Sequence, residues 1–154
     1  MNLNKVASDL FFCGCTVKEL HLKNTIINLP PESNVNIQMG LSIDNIKNDK
    51  TSGGLLGYVN LSLDLDTNIP DIEEAHCDFH IVLEGCFSTT HLGRDDFEKM
   101  LSINGGATLY SIARSQILDI TSNAFLSGKL LLPMVNMIEF FEESKKQVSD
   151  SKQN

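Results

Sequence analysis

At 154 residues and 17.0 kDa the chain is one domain long, with material for a core of its own. Apolar residues at 42% and charged residues at 21% lie near the globular average, which excludes wholesale disorder and low complexity. Twenty acids against twelve bases leave a formal charge of −8, which argues against nucleic acid and anionic lipid as partners, because both call for clustered Lys and Arg.

The charge is local. Between Asp64 and Asp96 stand nine carboxylates and one base, Arg94, a balance equal to the net charge of the whole chain. The start offers only a six-residue, weakly apolar stretch, Leu10 to Cys15, with no basic lead. No uncharged apolar run approaches the ~20 residues of a membrane span, so no membrane insertion is expected. A cytoplasmic location and four reduced cysteines are the expectation.

In chain order, Val17 to Lys23 alternates, with Leu20 and Leu22 in phase, and predicts a first strand. Asn24 to Asn34 carries Pro30-Pro31, which no interior strand tolerates, and predicts a crossing loop. Val35, Ile37, Met39, Leu41 and Ile43 alternate as a second strand. Ile43 to Thr51 is polar and predicts a turn. In a third strand Leu61, Leu63 and Leu65 point one way, and Ser62, Asp64 and Asp66 the other. Pro70 marks the next turn. A fourth strand, Ala75 to Phe87, puts Cys77, Phe79, Ile81 and Leu83 on one face and His76, Asp78, His80 and Glu84 on the other. Two paired strands would thus gather carboxylates and histidines on one side of a sheet.

Arg94 to Ile103 predicts a short helix or an irregular connection, broken by Gly105-Gly106. Ala107 to Phe125 has a helical period with two overlapping apolar stripes. One holds Leu109, Ile112, Ala113, Gln116, Ile117 and Ile120; the other holds Tyr110, Ala113, Ile117, Thr121 and Ala124. A helix so apolar needs cover on more than one side, and one sheet supplies one. A second subunit is therefore expected on the other side, with Leu109, Ile112, Ile117 and Ile120 in the oligomer interface. Pro133 closes the linker Leu130-Leu131-Leu132, and Asn136, three residues before Glu139, caps a last helix. Residues 1–148 read as a single α+β domain with an antiparallel sheet, and 149–154 as a disordered polar tail.

Chemistry is hard to find. The chain has no Cys-x2-Cys pair, and Cys77 and Cys86 stand ~30 Å apart in one extended strand, so the cysteines and His91 lack zinc spacing. His76, Asp78 and His80 share a strand face, but solvated side chains account for them better than a surface metal site. There is no Gly-x-Ser-x-Gly elbow, and Gly53-Gly54-Leu55-Leu56-Gly57 lacks the end of a phosphate loop. No enzyme, metal or cofactor is expected. What stands out is greasiness without chemistry. Leu130-Leu131-Leu132 in a linker and Phe140-Phe141 on a short helix cannot all face one core, which suggests oligomer burial, a second core layer, or a groove for extended apolar peptide.

Three motifs follow the strands in a fixed order: Gly85-Cys86-Phe87-Ser88, Leu109-Tyr110-Ser111-Ile112-Ala113-Arg114-Ser115-Gln116-Ile117, and Leu130-Leu131-Leu132-Pro133-Met134-Val135-Asn136-Met137. Together they resemble the bacterial preprotein-export chaperone family, SecB, well from Gly85 to Phe141 and loosely across the strands. The resemblance implies a four-stranded antiparallel sheet followed by one long and one short helix. It also implies a homotetramer, a dimer of dimers with the long helices between two eight-stranded sheets. The implied activity is that of an ATP-independent holdase for unfolded client polypeptides, secretory precursors delivered to the SecA translocase. A client-peptide groove would be lined by Ile26, Ile27 and Leu29, by Leu130, Leu131 and Leu132, and by Met137, Phe140 and Phe141. The implied partner-docking acidic face comprises Glu19, Asp64, Asp66, Asp78 and Glu84. Lys23 stands where a second acid is usual, His80 takes an acidic position, and Ser111-Ile112 replaces Pro-Tyr. Such departures leave open a SecB-like chaperone dedicated to one client, such as an antitoxin, or an oligomeric adaptor using the same fold.

Overall fold

Two-residue alternation becomes four long strands, β1 (Phe11–Asn24), β2 (Asn34–Asn48), β3 (Leu55–Ile69) and β4 (Ile72–Thr89), in one antiparallel sheet ordered β1-β4-β3-β2. This computed structural model describes residues 9–150, so the expectations placed on 1–8 and on 151–154 lie outside the described residues. β2, β3 and β4 form a meander, and the loop carrying Pro30-Pro31 lets β1 cross to the far side of β4. Pro70 and Asp71 make the tight β3–β4 turn, with Asp71 at a positive φ of 66°.

The inward faces of β3 and β4 form the core. Val59, Leu61, Leu63 and Leu65 meet Cys77, Phe79, Ile81, Leu83 and Phe87, all at most 2% exposed. β1 behaves differently. It lies at the sheet edge with register shifts after Phe12 and Val17, and Val17 and Leu20 remain about half exposed. The turn expected over Ile43 to Thr51 is also corrected. β2 continues to Asn48 through an irregularity between Asp44 and Lys47, where Asn45 takes a left-handed φ of 55°. The turn begins at Asp49, whose carboxylate accepts the Thr51 amide at 2.9 Å and the Ser52 hydroxyl at 2.7 Å. Those bonds hold its carboxyl below the usual range.

Three helices follow, α1 (Arg94–Met100), α2 (Gly106–Ala124) and α3 (Met137–Asp150). Gly105-Gly106 do not break the path. A π-helical turn over Leu101–Gly105 carries α1 directly into α2, with both glycines in right-handed helical geometry. Their role is close approach. A Cβ on Gly105 would stand 3.1 Å from Val59 Cγ2, and one on Gly106 would stand 2.6 Å from Met137 Cε. Asn136 caps α3 as its spacing predicts, its side-chain oxygen accepting the Ile138 amide at 3.2 Å. Because α3 runs to Asp150, residues 149–150 belong to it rather than to a tail. No helix among the described residues is long and apolar enough to cross a membrane.

Candidate functional site: two apolar clefts and a carboxylate–histidine face

The second apolar stripe of α2 finds its cover within the chain. Residues 129–136 run along α2, and three side chains of that helix hold Leu130, Leu132 and Pro133 there. Thr121 Oγ1 accepts the Leu130 amide at 3.0 Å, Arg114 Nε donates to the Leu132 carbonyl at 2.9 Å, and the Tyr110 hydroxyl donates to the Pro133 carbonyl at 2.7 Å. Burial pushes the Tyr110 hydroxyl's pKa up. The crossing loop grips the linker from below, with the Leu126 amide on the Ile27 carbonyl at 2.8 Å and the Leu29 amide on the Ser127 carbonyl at 2.9 Å. Gly128, at φ 87°, passes so close to Leu29 that a Cβ would lie 2.4 Å from its carbonyl oxygen.

Of the four residues expected at an oligomer interface, Leu109 and Ile117 are fully buried within the chain, whereas Ile112 and Ile120 are half-buried. The groove residues are sorted in the same way. The linker is extended, so its three leucines alternate: Leu130 and Leu132 are buried at 3% and 1%, and Leu131 is 61% exposed. Ile26 and Met137 are core residues, and Ile27 is solvent-exposed.

What remains is two surface clefts. The first, about 360 Å³, lies between Leu29 and Pro30 of the crossing loop, Val35 and Ile37 of β2, and Lys129 to Leu132 of the linker. The second, about 350 Å³, is formed by Leu41 and Ile43 of β2, Glu98 and Ser102, and Phe140, Phe141 and Ser144 of α3. Phe140 and Phe141 therefore share a cleft, while Leu29 and the three leucines share another. Met137 lines a smaller pocket with Tyr110, Arg114 and Met134. The β2 residues at both clefts were absent from the expected set. Their strand alternation was legible in the sequence; their edge position was not.

The outward sheet face carries the acids, and each is paired. His80 Nδ1 lies 2.6 Å from Asp64 and its Nε2 lies 3.4 Å from Glu19. His76 Nε2 lies 2.7 Å from Asp78 and its Nδ1 lies 3.5 Å from Asp66. Lys18 donates to Glu84 at 3.3 Å. Asp66 and Asp78 stand directly opposite across β3 and β4, with the His76 ring in contact with both carboxylates. Asp66, His76 and Asp78 place their donor atoms within 4.8 Å of one another, so these three, rather than His76, Asp78 and His80, could hold a metal ion.

The cysteines split by environment. Cys13 is exposed and its thiol lies 3.4 Å from Ser88 Oγ, while Cys77 is buried in the core and its pKa is pushed up to about 11, mainly by burial.

No protein-family model matches the sequence, and no curated protein matches it. Among solved structures the chain is similar to the SecB-like chaperone Rv1957 of Mycobacterium tuberculosis, in complex with a ChAD peptide from the Rv1956 HigA1 antitoxin. That likeness has a TM-score of 0.58 and 11% identity over 82% of this chain and 90% of that one. A protein of unknown function from Streptococcus agalactiae aligns at 14% identity over 81% of this chain and 97% of that one, with a TM-score of 0.42. Sheet, long helix and short helix in this order give the chain a SecB-like fold.

Proposed function

We propose that the protein is an ATP-independent holdase that shields extended apolar segments of client polypeptides. One observation carries this reading: two apolar clefts lie along the same edge strand, β2, whose outer side is open among the described residues, walled by the crossing loop, the linker and α3. An extended segment laid there can satisfy its main chain on β2 and bury alternate side chains, a mode that asks little of sequence. Suppression of aggregation of a chemically denatured client, without nucleotide, tests it; aggregation unchanged by equimolar protein overturns it.

A dedicated client, such as an antitoxin, is the reading the Mycobacterium tuberculosis neighbour favours, since that SecB-like chaperone is in complex with an antitoxin peptide. Secretory precursors with delivery to SecA are the other, and here the acidic face of Glu19, Asp64, Asp66, Asp78 and Glu84 would dock a basic partner. Lys18 pairs with Glu84 on that face, and His76 and His80 occupy carboxylates of Asp78 and Asp64, which weighs against SecA. Native capture from the source cytoplasm separates the two: many precursors with SecA, or one partner.

Assembly as a dimer of dimers would cover Ile112 and Ile120, together with the exposed Phe11, Phe12, Val17 and Leu20 of the β1 edge. Light scattering should then give about 68 kDa, four chains of 17.0 kDa.

A further inference from the structure

The two clefts have a fixed separation. Val35 and Ile37 line the first, Leu41 and Ile43 the second. All four occupy odd positions of β2, on the helix-covered side of the sheet, and the pairing of β2 with β3 runs unbroken from Asn34 to Asp44. Six residues at ~3.3 Å each therefore separate the cleft centres, roughly 20 Å. Among the described residues, no backbone–backbone hydrogen bond joins 34–44 to any element but β3, so the outer edge is open over the whole span. The clefts also differ in sign. Lys129 is the charged residue lining the first, and Glu98 the charged residue lining the second.

Resting on the holdase reading above, we propose that β2 measures its client. The preferred segment carries two large apolar side chains six residues apart, with a basic residue beside the one in the second cleft and an acidic residue beside the one in the first. Even spacing is needed because residues i and i+6 of an extended chain point to the same side, whereas i and i+5 point to opposite sides. Antiparallel addition, the pairing used throughout this sheet, runs the client from the second cleft to the first. From N- to C-terminus the order is then base, anchor, five spacer residues, anchor, acid.

The experiment titrates the full chain with labelled Ser/Thr peptides of about twelve residues that carry two Leu anchors five, six or seven apart, each in both charge orders. Fluorescence anisotropy should show spacing six binding about tenfold tighter than five or seven, the value of one additional buried Leu. Reversing the charge order should weaken binding roughly threefold, and Glu98→Lys should diminish that preference. Equal affinity at five and six overturns the measured spacing while leaving the holdase reading intact. Absence of binding by every peptide overturns it too. Aggregation suppression measured in parallel then shows whether the holdase reading falls with it.

Discussion

Thr121 Oγ1 accepts the amide hydrogen of Leu130 at 3.0 Å, while its own hydrogen goes to the Ile117 carbonyl at 2.7 Å, and the side chain is fully buried. One hydroxyl thus fastens the linker to the long helix. Thr121→Val keeps the shape and leaves the Leu130 amide buried without a partner, and should cost about 1–3 kcal/mol in urea unfolding. Thr121→Ser, which keeps the hydroxyl, should recover most of that. Equal stability of Val and wild type would show that the linker is held by other means.

The alternation of the linker leucines separates binding from folding. Leu132→Ser empties a core position and should destabilise the fold by about 2–5 kcal/mol. Leu131→Ser, at an exposed cleft wall, should leave the unfolding midpoint within about 0.5 kcal/mol of wild type and weaken client binding. Loss of stability in both would mean the linker leucines serve packing alone.

Phe140 and Phe141 are half-buried on α3 and face the second cleft together. Replacing both with Ser should raise the protein concentration needed to suppress client aggregation by at least tenfold, roughly the worth of the apolar area removed. The far-ultraviolet circular dichroism and the solution mass should not change. Full activity in the double variant would remove this cleft from the client path.

The thiols should divide by reactivity. At pH 8 iodoacetamide should label exposed Cys13 first, while Cys77, buried and with its pKa pushed up to about 11, should stay unlabelled until the fold opens in urea. Mass spectrometry of the digested protein reads both, and early labelling of Cys77 would mean that the β3–β4 core is looser than its burial indicates.

Period-two alternation made the centre of the sheet readable, because Leu61, Leu63 and Leu65 and their partners on β4 face inward without exception. The failures share a cause: each depended on what lay across from a residue. Gly105-Gly106 read as a stop, yet both glycines are helical and lie close against Val59 and Met137. The greasy circumference of α2 called for cover on a second side, and the linker supplies part of it at Tyr110, Arg114 and Thr121, which the helix pattern alone did not show. Local pattern could have separated Leu131 from its neighbours, since an extended triplet must alternate. It could not have shown that β2 ends the sheet. Sheet order is set by the crossing of β1, which no local pattern encodes.

That crossing also sets the order in which the chain can fold. β2, β3 and β4 pair through short turns, whereas Lys18 of β1 meets Glu84 of β4 across 66 residues. Loop closure over that distance makes β1 docking the slow, non-local event. During synthesis the difference is sharper, because β1 emerges first and its partner begins only at Ile72. At ribosomal speed the roughly 50 intervening residues take about 3–10 s. For that interval a strand carrying Phe11, Phe12, Val17 and Leu20 waits unpaired, an extended apolar segment of the kind the folded protein would itself hold.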